Sequence, residues 1–477
     1  MELDAKTNGK SPKRTLSIFV LIMLNVSLMA SLRNLPMLAT YGLSSLFYFF
    51  VVGLCFLLPC ALISAELATG WPKDGGIYIW IREALGDRFA FMTVWMQWVH
   101  NVAWFPVILA FCASTLAYTF SPDLAHNKTY VVSVVLIGFW SMTFLNFFGI
   151  KTSSLFSTIG VIAGTILPGI FIISLGIYWL GTGRPSQIVF SLAALKPDLT
   201  HMDRVVFLAG LFLAFSGLEV SATHAGSVKN PQKNYPRSII IAALITFCIS
   251  VLGALSIAVV IPHNDISLVS GLMAAFKNFF EFYNLSWFLP VLGIMLIIGA
   301  IAELNSWIAG PVRALYATSI HGNLPPLLQK KNKHGMPTNL LLVQALIATI
   351  SAFIIPFMPS VSSAFWILTA LSAQTYLVMY VMMFIAAIHL RYSKPLIPRT
   401  YRVPGKMVGM WILGSLGIIS SIFGICVAFI PPKELATGNI FIYEGFLILS
   451  LLALTAIPLI IYQCRKPEWY RLEDKLP

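Results

Sequence analysis

Charge is scarce in this sequence. Asp, Glu, Lys and Arg make up 10% of its 477 residues, against about 25% in soluble globular chains. With 58% hydrophobic residues and a mean hydropathy of +0.83, that deficit excludes both a soluble domain and a disordered chain. Acidic residues are scarcer than basic ones, 18 against 31. In a soluble protein the net charge of +13 would suggest nucleic acid; here loop charges that follow the positive-inside rule explain it, and no nucleic-acid partner is expected. Cysteine is sparse too. Cys55, Cys60, Cys112, Cys248, Cys426 and Cys464 lie in or beside apolar segments without a metal spacing or an extracellular pairing pattern, so they read as reduced packing residues. The eight His form no ligand spacing. There is no Walker loop, no HExxH and no Gly-rich dinucleotide turn, so neither an enzyme nor a metal or cofactor is expected. A repeated filter loop or charged ring, the mark of a channel, is also missing.

What the chain has is long apolar runs. At roughly 20 residues per span, its length holds about twelve transmembrane helices, making an all-α membrane protein. The hydropathy pattern places them at about 15–40, 43–67, 89–120, 129–148, 153–180, 203–225, 236–261, 285–320, 338–358, 362–391, 407–430 and 440–462. The first run is too long for a cleavable leader and lacks a small-residue cleavage site. Residues 1–14 read as a disordered tail and 463–477 as a short one. Of the 31 Lys and Arg, only Lys128, Arg184, Lys196, Arg204, Lys277 and Lys433 fall on one alternating set of loops, and Arg33 and Arg313 fall within spans. The remainder share the other set with both termini, which are therefore expected in the cytoplasm.

Two spans carry interruptions that lipid packing does not ask for. The sixth contains Phe215-Ser216-Gly217-Leu218-Glu219-Val220-Ser221. Gly weakens a helix by roughly 1 kcal/mol relative to Ala, and a carboxylate at membrane depth costs at least ~2.5 kcal/mol. A helix that must open near mid-membrane and offer its backbone to a polar ligand does ask for this. The first span carries Met29-Ala30-Ser31-Leu32-Arg33-Asn34-Leu35-Pro36, where Pro36 removes a backbone donor. Broken helices five spans apart point to an inverted repeat, spans 1–5 over 15–180 against spans 6–10 over 203–391, with two further helices over 407–462.

Polar residues at helical spacing mark two more spans. Glu303 and Trp307 are four apart in the eighth, with Asn305 and Ser306 beside them, and Tyr376 and Tyr380 are four apart in the tenth, near Gln374. Such pairs share a helix face and would suit either a polar cavity or packing between helices. Glu219 and Glu303 lie deep and are candidate proton carriers or partners for an ammonium or for Arg33. Glu66 reads as an interface residue. Arg33 cannot shed its charge and must meet a carboxylate, either of the protein or of a substrate.

These motifs resemble the amino acid–polyamine–organocation (APC) transporter superfamily over nearly the whole chain, about Leu16 to Ile461. The most specific parts are Gly217-Leu218-Glu219, Lys229-Asn230-Pro231 with Pro236, Gly70-Trp71-Pro72 with Gly75-Gly76 and Tyr78, and Trp307. Within it, Ser221-Ala222-Thr223-His224, Ala302-Glu303 with Ser306-Trp307-Ile308 and Gly310-Pro311, and the Tyr376/Tyr380 pair look most like the bacterial glutamate/γ-aminobutyrate antiporter branch. The resemblance implies a LeuT-like fold, a 5+5 inverted repeat with broken helices 1 and 6, in a multi-pass protein of the bacterial inner membrane. It implies a secondary amino acid antiporter working by alternating access, as a monomer or homodimer. A proton-coupled uptake permease and a transporter-like amino acid sensor are the alternatives. By the same resemblance, the substrate's carboxylate would meet N–H groups near Ala30, Ser31 and Leu32, with Arg33 beside them. Its amino group would meet carbonyls near Phe215, Ser216 and Gly217. Trp307 would close over it, Tyr376 and Tyr380 would line the pocket, and Glu219 and Glu303 would serve gating or protonation. Two departures stand out. The position of Arg33 is usually aromatic in this branch, and the long C-terminal plug known there has no counterpart in 463–477.

Overall fold

The computed structural model describes residues 17–72, 75–148, 158–197, 205–433, 435–436 and 438–470. The expected tail over 1–14, the starts of the fifth and sixth spans at 153 and 203, and residues 471–477 lie outside them. The described residues are mostly helical, with no strand among them. Among the described residues, eleven helices are long and apolar enough to cross a membrane. Span 1 is Ile18–Ala39, span 2 Gly42–Gly70, span 3 Asp87–Phe120, span 4 Lys128–Phe147 and span 5 Thr158–Gly181. Span 7 is Gln232–Val260, span 8 Ser286–Ala317, span 9 Thr338–Phe357, span 10 Val361–Ser393, span 11 Lys406–Val427 and span 12 Ile440–Gln463. The sixth does not qualify because it is broken into the helix Leu208–Ala214 and the 3-10 turns Leu218–Ser227.

Span 1 is broken as well. Its helix runs Ile18–Met29, capped by the Ser17 hydroxyl, which accepts from the Val20 N–H. Ala30 and Ser31 are extended, and helix resumes through Leu32–Asn34 and Leu35–Ala39. Pro36 sits in the first turn of that second helix, where its missing N–H costs nothing. Span 3 packs along spans 8 and 10, and span 1 along span 7. Span 5 crosses span 8 at Gly164 and Gly299, where a Cβ on Gly164 would lie 2.3 Å from the Gly299 Cα. That contact holds the span carrying Glu303 and Trp307 against the bundle.

Two loop elements add to the spans. The stretch 263–284 contains the amphipathic helix Gly271–Phe282, whose Leu272, Met273, Phe276, Phe279 and Phe280 are buried. The loop between spans 2 and 3 holds a helix, Ile77–Leu85, that the Gly and Pro of this loop concealed. Its Tyr78, Trp80 and Ile81 are buried, and it packs on spans 3 and 10.

Glu66 corrects the sequence reading. It is not an interface residue but is buried at the end of span 2. Its two oxygens accept from Arg391 Nε at 2.6 Å and Nη2 at 2.5 Å, and Oε2 also accepts from the Val403 N–H at 2.7 Å. Arg399 stands 3.5 Å away. The paired fork ties span 2 to span 10 and to the loop after it.

A second polar cluster sits at the start of span 3. Asp87 accepts from the Tyr78 hydroxyl at 2.8 Å and from Asn323 Nδ2 at 3.2 Å, and pairs with Arg465 at 3.4 Å. Beside it Arg82 Nη1 lies 2.7 Å from His321 Nε2. Arg can only donate, so this nitrogen accepts and the ring is neutral. Burial, and then Arg82, hold His321 below its ordinary pKa, with Asp87 opposing. The unfolded chain therefore binds this proton first. Stability is present above the ordinary imidazole pKa of about 6.5 and is lost as pH falls through it. Thermal unfolding in detergent should show this loss between about pH 7 and pH 5. His321→Gln, which can still accept from Arg82, should flatten the slope; an unchanged slope would remove His321 as its source.

Candidate functional site

The two breaks meet. Gly217 has φ +113°, and a Cβ there would lie 2.7 Å from the Leu28 carbonyl oxygen and 3.3 Å from Trp307 Cζ2. Only a residue without a side chain allows this contact between the interrupted turns of spans 1 and 6. Around the contact lies a cavity lined by Leu28, Met29, Ser31, Arg33, Asn34, His100, Trp104, Leu213, Ser216, Glu303, Trp307 and Tyr376. Its volume is about 20 Å³, room for one water molecule. An amino acid needs its walls to move.

Backbone groups in both breaks are free for a ligand. The Ala30 N–H is given to the Val26 carbonyl at 2.8 Å. The N–H groups of Ser31 and Leu32 have no backbone partner among the described residues, so the unbonded donors of this break begin at Ser31. In span 6 the Phe215 and Ser216 N–H groups bond back into the helix, and the Gly217 carbonyl accepts from Val220 at 3.2 Å. The Phe215 and Ser216 carbonyls accept no backbone bond among the described residues. The Phe215 side chain points away, into a stack with Phe247 at 6.0 Å, so this residue offers only its backbone.

Glu219 lies behind the cavity, not in it. One oxygen accepts from Tyr376 and from Gln97 Nε2, the latter at 3.2 Å, and the other accepts from Tyr380. Tyr380 in turn accepts the Gly217 N–H at 2.7 Å. One hydroxyl thus links the break in span 6 to the buried carboxylate. Tyr376 both bonds to Glu219 and lines the cavity, whereas Tyr380 does only the first.

Glu303 is placed differently. It opens onto the cavity and faces Ser31 and the charge of Arg33. Arg33 is 3% exposed. Its guanidinium stands 5.1 Å from the Trp104 ring centre, and its Nε and Nη1 have no hydrogen-bond partner among the described residues. Trp307 stands edge-on to His100 at 5.2 Å and to Tyr376 at 5.9 Å. His100 stacks on Tyr376 at 3.9 Å, with Nδ1 2.6 Å from the Gln97 carbonyl.

Sequence reasoning missed the wall made by span 3. Gln97, His100, Asn101 and Trp104 follow the spacing of one helix face and are all buried, a polar stripe in an apolar run that could have been read as cavity lining. Among the described residues, no group of three or more His, Cys, Asp or Glu converges as metal ligands.

Comparison with known proteins fits this geometry. A model of the amino acid permease family matches residues 15–452. A Legionella pneumophila protein described as an uncharacterized transporter is 42% identical over 446 residues, 94% of this chain and 96% of its own length. A glutamate/gamma-aminobutyrate antiporter of Lactococcus lactis is 31% identical over 457 residues, 94% of this chain and 91% of its own. A probable agmatine/putrescine antiporter of the same species is 26% identical over 420 residues, 88% and 89% of the two chains.

Proposed function

The chain belongs to the amino acid permease family of the APC superfamily, and on that premise we propose that it exchanges amino acids across a bacterial inner membrane by alternating access, as an antiporter of the glutamate/γ-aminobutyrate type with cytoplasmic termini. The carrying observation is the meeting of the two breaks at Gly217, with Ser31 and Leu32 N–H groups on one side and Phe215 and Ser216 carbonyls on the other. The first set is complementary to an α-carboxylate, assisted by the helix that starts there, and the second to an α-ammonium. Trp307 closes over the bound zwitterion and Tyr376 forms its floor. Glu219, through Tyr380, reports the position of the span 6 break to span 10.

Counterflow in proteoliposomes tests this. Labelled amino acid should enter only vesicles preloaded with unlabelled amino acid. Uptake into empty vesicles driven by a pH gradient would replace exchange with proton symport. No flux from folded protein with any amino acid would end the transport reading of this site.

A further inference from the structure

The exchange reading places the substrate's α-groups; its glutamate/γ-aminobutyrate type comes from a relative at 31% identity, and the side chain that this chain's own cavity prefers is a separate question. Two buried charges remain in the cavity once those groups are placed. Arg33 carries a positive charge that it cannot lose, and the carboxylate that lines the same cavity and feels that charge is Glu303. Among the described residues Arg33 forms no ion pair, and its buried Nε and Nη1 donors have no hydrogen-bond partner. Trp104 under the guanidinium holds it in place. The cavity lining therefore offers unpaired donors and a carboxylate acceptor together, with opposite charges in balance.

We propose that this pair selects a carboxamide side chain, so that the preferred substrate is an amino acid of the glutamine or asparagine kind. The proposal rests on the exchange reading for the position of the α-groups. A carboxamide is the small group that is both acceptor and donor. Its oxygen accepts from Arg33 and its NH2 donates to Glu303, and both protein charges keep a partner. An anionic side chain satisfies Arg33 but places two carboxylates on one guanidinium, leaving a net negative charge where the medium screens it poorly. A cationic side chain has the mirror-image fault at Arg33. An aliphatic side chain leaves the Arg33 Nε and Nη1 donors desolvated and unpaired, and Glu303 with Ser31 as its hydrogen-bond partner. Neutral, doubly hydrogen-bonding side chains are the class that the site accommodates at no net change of charge. The selectivity is large in kind because a site built around hydrogen bonds rejects ligands that leave its polar groups unpaired.

The same balance predicts how selectivity should move. Glu303→Gln leaves Arg33 alone and gives the cavity a net positive charge, so an acidic side chain becomes the better partner. Arg33→Gln leaves Glu303 alone and removes the donor for the carboxamide oxygen.

The test uses the full-length protein in two assays. Thermal stabilisation in detergent by glutamine, asparagine, glutamate, γ-aminobutyrate and alanine measures binding; competition against labelled glutamine in counterflow measures transport. We expect glutamine to outcompete glutamate by at least about tenfold in wild type, a difference of about 1.4 kcal/mol. In Glu303→Gln the ratio should turn toward glutamate, a gain that misfolding does not produce. Arg33→Gln should lose the preference for glutamine over alanine. A wild type that prefers glutamate, or a glutamine-to-glutamate ratio that neither substitution moves, overturns the proposal while leaving exchange intact. Carboxamide-selective stabilisation without trans-stimulated flux would instead overturn the exchange reading and keep the side-chain assignment.

Discussion

Gly217→Ala should reduce exchange by more than about tenfold in protein that still folds, because each 1.4 kcal/mol is a factor of ten. Two costs add at this position. A φ of +113° lies where an L residue pays about 1–3 kcal/mol in strain. The added Cβ also falls 2.7 Å from the Leu28 carbonyl oxygen, which is backbone and cannot rotate away. Relieving the clash means separating the broken turns of spans 1 and 6, the contact on which the proposed substrate site is built. Gly310→Ala is the control. It lies in the helix of span 8, four residues from Ser306, and its Cβ would meet Val220 Cγ1 at an ordinary 3.7 Å. That substitution should be neutral or slightly stabilising. If Gly217→Ala exchanged at the wild-type rate, the contact between the breaks would not be a working part of the carrier.

Tyr380→Phe should be more damaging than Tyr376→Phe, although Tyr376 is the one that lines the cavity. The Tyr380 hydroxyl holds two partners, the Gly217 N–H and a Glu219 oxygen. Its loss leaves a buried donor and a buried carboxylate oxygen unpaired, at about 1–3 kcal/mol each. Tyr376→Phe removes one donor from a Glu219 oxygen that Gln97 still serves. Exchange should fall at least about tenfold in the first variant and only a few-fold in the second. Thermal unfolding should rank them the same way. Glu219→Ala should be worse than either, since it strands Tyr376, Tyr380 and Gln97 together. A reversed order of the two tyrosines would mean that the cavity wall, not the link from the break to Glu219, limits transport.

The sequence by itself determined the membrane class and the spans, because a run of apolar residues of bilayer length has no other stable home in water. It also located both breaks. Arg33, Asn34 and Pro36 in span 1, and Ser216, Gly217 and Glu219 in span 6, are local departures from an apolar background and are visible without knowing what they touch. The pairs Glu303 with Trp307 and Tyr376 with Tyr380 were legible for the same reason, since helical spacing alone puts each on one face. Tertiary structure decided what those faces meet. Which way span 3 turns its polar stripe depends on how spans 8 and 10 pack against it, so His100 and Trp104 stayed hidden. Glu66 looked like an interface residue until the loop after span 10 folded over it. Glu219 and Glu303 looked alike as deep acids. Packing set one behind the cavity among neutral donors and the other inside it across from Arg33. Sequence spacing fixes a side chain's direction within its own helix, but the charge or donor it faces belongs to another helix, and only the packed bundle brings the two together.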